Sequence, residues 1–184
     1  MTIIGLSGYA GSGKDEVGAF LVREHGFERV AFADVLKRVA YDLDPVIGHA
    51  NAPGGFMHLA DLVDKHGWDV AKTVPEVRRI LQQLGSAVRR HLSFDAALEA
   101  AYSAMPRAFR VVFTDVRYPN EAEMIEACGG RIIRVEREGV GPANDHESER
   151  LLDDWPFSAT ICNDGTLDDL AKSVEDVMEK LGIV

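Results

Sequence analysis

Seven residues near the start of the chain, Gly8-Tyr9-Ala10-Gly11-Ser12-Gly13-Lys14, constrain its fold more than any other stretch. They fit the pattern GxxxxGK and follow the apolar run Ile3-Ile4-Gly5-Leu6-Ser7. An apolar run ending in glycines reads as a buried strand feeding a tight loop. From Glu16 to His25, the apolar residues Val17, Phe20 and Leu21 recur near helical spacing, and Gly26 supplies a stop. Strand, glycine loop and helix in this order make an anion cradle. Glycines let the backbone approach closely, N–H groups and the helix N-terminus point at phosphate, and the lysine neutralises charge on the outer phosphates. Gly8, Ala10, Gly11, Ser12, Gly13, Lys14 and Asp15 are the expected contacts to the phosphates of ATP.

Asp15 stands where Ser or Thr normally offers a hydroxyl to magnesium. A carboxylate beside a triphosphate is repelled unless a cation intervenes, so Asp15 is an expected Mg2+ ligand, directly or through water. The alternative is an acid that merely favours the helix dipole. Asp115 ends the apolar stretch Val111 to Thr114 and is expected at the carboxyl edge of its strand as a second magnesium ligand, with a turn or capping role as the alternative.

The alternation continues. Strands are expected near Arg29 to Phe32, Arg110 to Asp115, Arg131 to Val135 and Ala159 to Cys162. Helices are expected from about Asp34 to Leu43, Asn120 to Cys128 and Leu167 to Leu181. This pattern predicts an α/β three-layer fold, a five-stranded parallel sheet with helices on both faces and a functional crevice at the strands' carboxyl ends. A Gly- and Pro-rich loop from Asp44 to Gly55, expected to be mobile, precedes helical patterns near His58 to Lys72, Pro75 to His91 and Phe94 to Ala104. The expected organisation is one domain over residues 1–184, with a core of 1–33 and 108–184, an insertion at about 34–107 and a lid-like segment at about 136–150.

The formal net charge of -10 argues against a partner of polymeric nucleic acid, whose backbone is gripped by clustered Lys and Arg. No stretch approaches the roughly 18 to 20 apolar residues of a membrane span, and the N-terminus lacks a secretory pattern, so a cytoplasmic protein without a membrane partner is expected. Cys128 and Cys162 form no CxxC and are expected to be reduced, mostly structural thiols. His146-Glu147-Ser148-Glu149-Arg150 is not HExxH, which argues against zinc. Trp68, Trp155 and Tyr118 are read as packed aromatics rather than base-stacking platforms.

A guanine-nucleotide switch would show DxxG after the Asp115 strand and NKxD later, and neither is present. A small-molecule kinase fits better, because transfer between two phosphate-bearing ligands needs several arginines and a closing segment. Arg78, Arg79, Arg89, Arg90, Arg117, Arg134 and Arg137 are available, with Arg117 and Arg137 favoured as catalytic groups because they lie at strand exits.

Together with Gly8 to Asp15, the stretches Phe32 to Arg38, Arg79 to Gly85, Thr114 to Glu121, His146 to Glu149 and Ile161 to Gly165 resemble the phage deoxynucleoside monophosphate kinase family over nearly the whole chain. They resemble animal phosphomevalonate kinases more distantly. The resemblance implies a P-loop nucleoside monophosphate kinase-like fold, with ATP and a deoxynucleoside monophosphate as partners. It also implies acceptor contacts from Asp34, Lys37 and Arg38 and from the 79 to 90 helix, hence Arg79, Gln82 and Arg90, with Arg137 helping to close the site. Asp34 can equally serve as a helix N-cap, with Lys37 and Arg38 solvated. An acceptor phosphate is already ionised near neutral pH, so alignment and charge neutralisation are expected to carry catalysis. An alcohol acceptor would instead need a base, for which Asp34 is the candidate. Phosphomevalonate kinase and a non-catalytic nucleotide-binding regulator are the competing readings.

Overall fold

In the computed structural model, residues 1–49, 55–91, 110–143 and 147–183 are described. In chain order the elements are β1 (Thr2–Ser7), α1 (Lys14–His25), β2 (Glu28–Val30), α2 (Ala33–Leu43), β3 (Val46–His49), β4 (Phe56–His58), α3 (Leu59–Ala71) and α4 (Pro75–His91). There follow β5 (Arg110–Phe113), α5 (Pro119–Ala127), β6 (Arg131–Glu136), a 3-10 turn at Glu147–Glu149, β7 (Ala159–Cys162) and α6 (Leu167–Lys180). The chain divides into two compact units, Met1–Ala31 with Ala104–Val184, and Phe32–Ser103.

In the first unit, five strands form one sheet in the order β2-β5-β1-β6-β7, and every pairing is parallel. β1 lies at its centre and is apolar almost throughout, because a parallel strand covered on both faces has no side to leave in water. Its residues alternate between the faces. Ile4 and Leu6, with Val112, Ile133 and Val135, pack against Val17 and Leu21 of α1 and Leu170, Val174 and Met178 of α6. On the other face Gly5 is hemmed in: a Cβ there would lie 2.7 Å from Ile132 Cδ1 and 2.9 Å from Ile125 Cδ1 of α5. Each large side chain so buried contributes about 1.5–3 kcal/mol by leaving water. This core fixes β1 and α1, and hence the loop between them.

The predicted five-stranded parallel sheet and its covering helices are all present. β5 stops at Phe113 rather than reaching Asp115, although Thr114 N–H still donates to Val30 O (3.1 Å) and Val116 N–H to Leu6 O (3.1 Å). Asp115 therefore emerges just beyond the sheet edge.

The second unit holds α2, β3, β4, α3 and α4 around its own cluster of Ala40, Ile47, Leu59, Ala71 and Val77. Two expectations fail here. The segment read as a loop from 44 to 55 carries β3, and β3 pairs antiparallel with β4. Strands of three or four residues containing Gly48 and flanked by Pro and Gly are too short for the alternation that marks a strand in sequence. The helix expected over 58–72 is broken at Gly67 (φ 77°, ψ 169°), a conformation that glycine alone adopts without strain. The helix expected over 94–104 lies outside the described residues. Among the described residues, no helix is long and apolar enough to cross a membrane.

Candidate active site

The glycine loop sits between β1 and α1 as its motif requires. Gly8 takes φ 147°, and a Cβ there would meet Val135 O at 2.2 Å and Ser12 Oγ at 2.8 Å. Gly13 takes φ 100° as the N-cap of α1, and its Cβ would meet Asn163 Nδ2 at 2.2 Å. These two positions admit only glycine, by conformation and by space. The Asn163 amide donates to Ser12 O (2.9 Å), and the buried hydroxyl of Ser12 finds no hydrogen-bond partner among the described residues. Ala10 and Gly11 are exposed at the loop's outer turn.

Lys14 is buried, and its ammonium donates to Gly8 O (2.7 Å) and Tyr9 O (2.8 Å), so the side chain folds back across the loop. Burial pushes its pKa down to about 8, and the Arg117 guanidinium pushes the same way. Asp15, Glu149 and Asp115 oppose the fall. The electrostatic environment of Lys14 therefore contains four of the charged groups around the loop: Asp15, exposed in the first turn of α1; Asp115, half-buried past β5; Arg117; and Glu149. A cation held in a nearly dry cradle is stabilised by an anion.

Arg117 is positioned by two acids. Glu121, buried at the start of α5, accepts from the N–H groups of Arg117 (2.7 Å) and Tyr118 (3.0 Å) and so fixes the backbone after Asp115. Glu149, whose side chain is 5% exposed, accepts from Arg117 Nη1 at 2.6 Å. Arg117 and Glu149 line a cleft with Ser7, Gly8, Val116, Arg134, Ser148 and Leu152. Buried Arg134 lies over the Tyr9 ring (4.6 Å to the centroid) and pairs with Asp153 (3.3 Å), which also accepts from the Tyr9 hydroxyl (2.7 Å). Burial raises the Tyr9 phenol's pKa and the Asp153 contact adds to it. The second residue of the glycine loop is thus tied down from β6 and from the segment before β7.

The predicted site residues Gly8, Ala10, Gly11, Ser12, Gly13, Lys14, Asp15, Asp115 and Arg117 share this region of the first unit. Arg137, just past β6, is exposed, and no ion pair to it is found among the described residues. The lid-like segment is described only in part, with Glu138 N–H bonded to Asp164 (2.6 Å) and Glu149 buried; His146 lies outside the described residues. Cys128 and Cys162 are both free, in keeping with the expectation of reduced thiols, and both are exposed, so neither packs in a core. Tyr118 is buried at the N-cap of α5, and Trp68 packs on the second unit's core.

In the second unit, Asp34, Lys37 and Arg38 follow one another at i, i+3 and i+4 on α2, so they share a face. Lys37 Nζ bonds Asp34 Oδ1 at 2.5 Å, and Arg38 is exposed. Asp34 is not the N-cap: Phe32 holds that position and Asp34 sits in the first turn. Arg79, Gln82 and Arg90 are exposed on α4, and their spacing puts them on one stripe opposite Val77, Leu81 and Leu84. Arg79 is held by Glu76 (Nε to Oε2, 2.8 Å) and Gln83 (2.6 Å).

Sequence reasoning assigned no role to Glu121, Glu149, Asp153 or Asn163. Glu121 had a legible signal, an acid at the third helical position after a cap. The others act through contacts across long chain separations, which spacing does not report.

A glycine-lined anion cradle with a buried lysine, at the carboxyl edge of the central strand of a parallel α/β sheet, defines a P-loop nucleotide-binding phosphotransferase. The family model described as "Deoxynucleotide monophosphate kinase" matches residues 63–174, more than half of the chain, and the chain belongs to that family. This match does not include the glycine loop, which supports the class independently. The chain is 25% identical over 196 residues to a putative deoxynucleotide monophosphate kinase of Acanthamoeba polyphaga mimivirus, covering 95% of this chain and 94% of the relative. It is 29% identical over 109 residues to the deoxynucleotide monophosphate kinase of Escherichia phage RB69, covering 55% of this chain and 44% of that protein's length. Among solved structures, a shikimate kinase from Bacteroides thetaiotaomicron aligns over 98% of each chain at 13% identity and a TM-score of 0.46.

Proposed function

We propose that the protein transfers the γ-phosphate of ATP to a deoxynucleoside monophosphate, giving the diphosphate and ADP. The observation that carries the reading is Lys14, buried in the glycine cradle with its charge poised by Arg117, Asp15, Asp115 and Glu149. An oxygen of the acceptor phosphate attacks the γ-phosphorus, the bond to the β–γ bridging oxygen breaks, and ADP leaves with that electron pair. The acceptor oxygen is ionised near neutral pH, so no side chain has to remove a proton from it. Lys14 binds the β- and γ-phosphates, and the N–H groups of the loop orient them. Arg117 faces the transferring group and Arg137 approaches it, while Asp34, Lys37, Arg38, Arg79, Gln82 and Arg90 hold the acceptor.

The residues present fit a nucleotide-borne magnesium ion. Asp15 and Asp115 both act on Lys14 electrostatically, and one or two carboxylates plus phosphate oxygens are what Mg2+ requires. When bound, the ion neutralises charge shared by the β- and γ-phosphates.

The test is ADP release with ATP and magnesium against dTMP, dGMP, dCMP, dAMP, their ribose counterparts and phosphomevalonate, with products weighed by mass spectrometry. Deoxynucleoside diphosphates are the expected products. Turnover of phosphomevalonate alone, or ATP binding without any product, overturns the assignment.

A further inference from the structure

We infer that Asn163 is a positioning residue of the phosphate loop, setting the direction of the Gly13 N–H through the Ser12 carbonyl. The inference rests on the phosphate-loop reading and is independent of which acceptor is used. Asn163 follows β7, at the edge of the sheet, yet its side chain is buried against a loop that leaves the central strand. Its backbone is fixed, because Asn163 N–H donates to Glu136 O (2.8 Å) at the end of β6. From that anchor Nδ2 donates to Ser12 O at 2.9 Å.

A peptide unit is planar and trans, so its C=O and N–H point in opposite directions. Holding the Ser12 carbonyl on Asn163 therefore turns the Gly13 N–H away from Asn163. Two neighbouring contacts keep the rest of the loop in step. Ser12 N–H donates to Tyr9 O (3.2 Å), and Gly13 O accepts the first helical bond of α1, from Val17 N–H (3.0 Å). The 12–13 peptide is thus the last unit before the helix whose orientation the helix does not itself enforce, and Asn163 supplies the missing constraint. The same packing explains the bare Gly13, since a Cβ would lie 2.2 Å from Nδ2. In a glycine loop, where N–H groups are the anion's donors, a peptide left free to rotate loses one donor and adds an ordering cost to binding.

The experiment measures magnesium tripolyphosphate and magnesium ATP binding by calorimetry to the full chain and to Asn163→Ala and Asn163→Asp, with near-UV circular dichroism as the check on folding. Tripolyphosphate has no base or sugar, so it reads the loop alone. Asn163→Ala is expected to weaken both ligands equally, by about three- to tenfold, the worth of one neutral hydrogen bond. Asn163→Asp keeps the side chain's shape but sets a carboxylate oxygen against the Ser12 carbonyl, and is expected to weaken both ligands further. Unchanged tripolyphosphate affinity in both folded variants overturns the inference. So does a loss confined to ATP, which would make Asn163 a contact to the nucleoside. Normal tripolyphosphate binding by the unaltered protein, with no deoxynucleotide turnover, would instead strike at the proposed acceptor and leave Asn163's role standing.

Discussion

The charge on Lys14 is where physical chemistry and function meet most closely. Burial holds its pKa at about 8 against an ordinary 10.5, so between those values the unfolded chain binds more protons at this site than the native one. On this group's account, native stability is fully present above pH 10.5 and is lost as pH falls through about 8, below which the whole cost of a buried ammonium is borne. A bound triphosphate reverses the preference, because an anion in the cradle favours the ammonium and raises its pKa. Binding above pH 8 must then take up a proton, and affinity is expected to fall as pH rises, with a slope approaching about tenfold per pH unit. Calorimetric titration of magnesium ATP in buffers of different ionisation enthalpy measures both the affinity and the proton uptake. Lys14→Met should bind weakly and show no uptake in this range. Proton uptake unchanged in that variant would remove Lys14 from the phosphate site.

At the scale of elements, the first unit was legible in the sequence because each piece carries a local signal. β1 is built on the run Ile3 to Leu6, α1 starts at a glycine motif and stops at Gly26, and α6 opens with Thr166 and Asp169 in a capping box. What the sequence hid lies between elements. The hold of Glu149 on Arg117, of Asp153 on Tyr9 and of Asn163 on Ser12 joins residues distant in the chain, and no periodicity encodes such partners. The β3–β4 pair was missed for a different reason: its strands are too short to display alternation. α4 shows what periodicity does deliver, an apolar side buried in the unit's core and a polar stripe of Arg79, Gln82 and Arg90. That stripe carries a prediction. If it grips the acceptor, Arg79→Ala and Arg90→Ala should raise the acceptor KM by roughly tenfold each, the worth of a charge-assisted hydrogen bond. Magnesium ATP affinity without acceptor should stay unchanged. Steady-state kinetics with calorimetry separates the two, and an equal loss in ATP affinity would show that the stripe acts elsewhere.

For the whole molecule the governing fact is that, among the described residues, each unit carries a hydrophobic cluster of its own. The cluster around Ile4, Leu6, Val17 and Val112 and the cluster around Ala40, Ile47, Leu59 and Val77 have no residue in common. Each unit therefore has its own source of hydrophobic stability, and local opening in one need not open the other. A ligand that binds only the native form of a unit suppresses that unit's opening, by about 2.7 kcal/mol when present at a hundred times its Kd. The proposed roles assign the triphosphate to the loop of the first unit and the acceptor to α2 and α4 of the second. Hydrogen exchange followed by mass spectrometry then has a definite expected pattern. Magnesium ATP alone should slow exchange in peptides covering residues 8–17 and 161–166, whereas a deoxynucleoside monophosphate alone should slow peptides covering 33–43 and 75–91. The two ligands together should protect both sets. Protection of the 33–43 and 75–91 peptides by magnesium ATP, with none from any monophosphate, would mean that the second unit answers to the donor, and the acceptor roles of Asp34, Lys37, Arg38, Arg79, Gln82 and Arg90 would have to be abandoned.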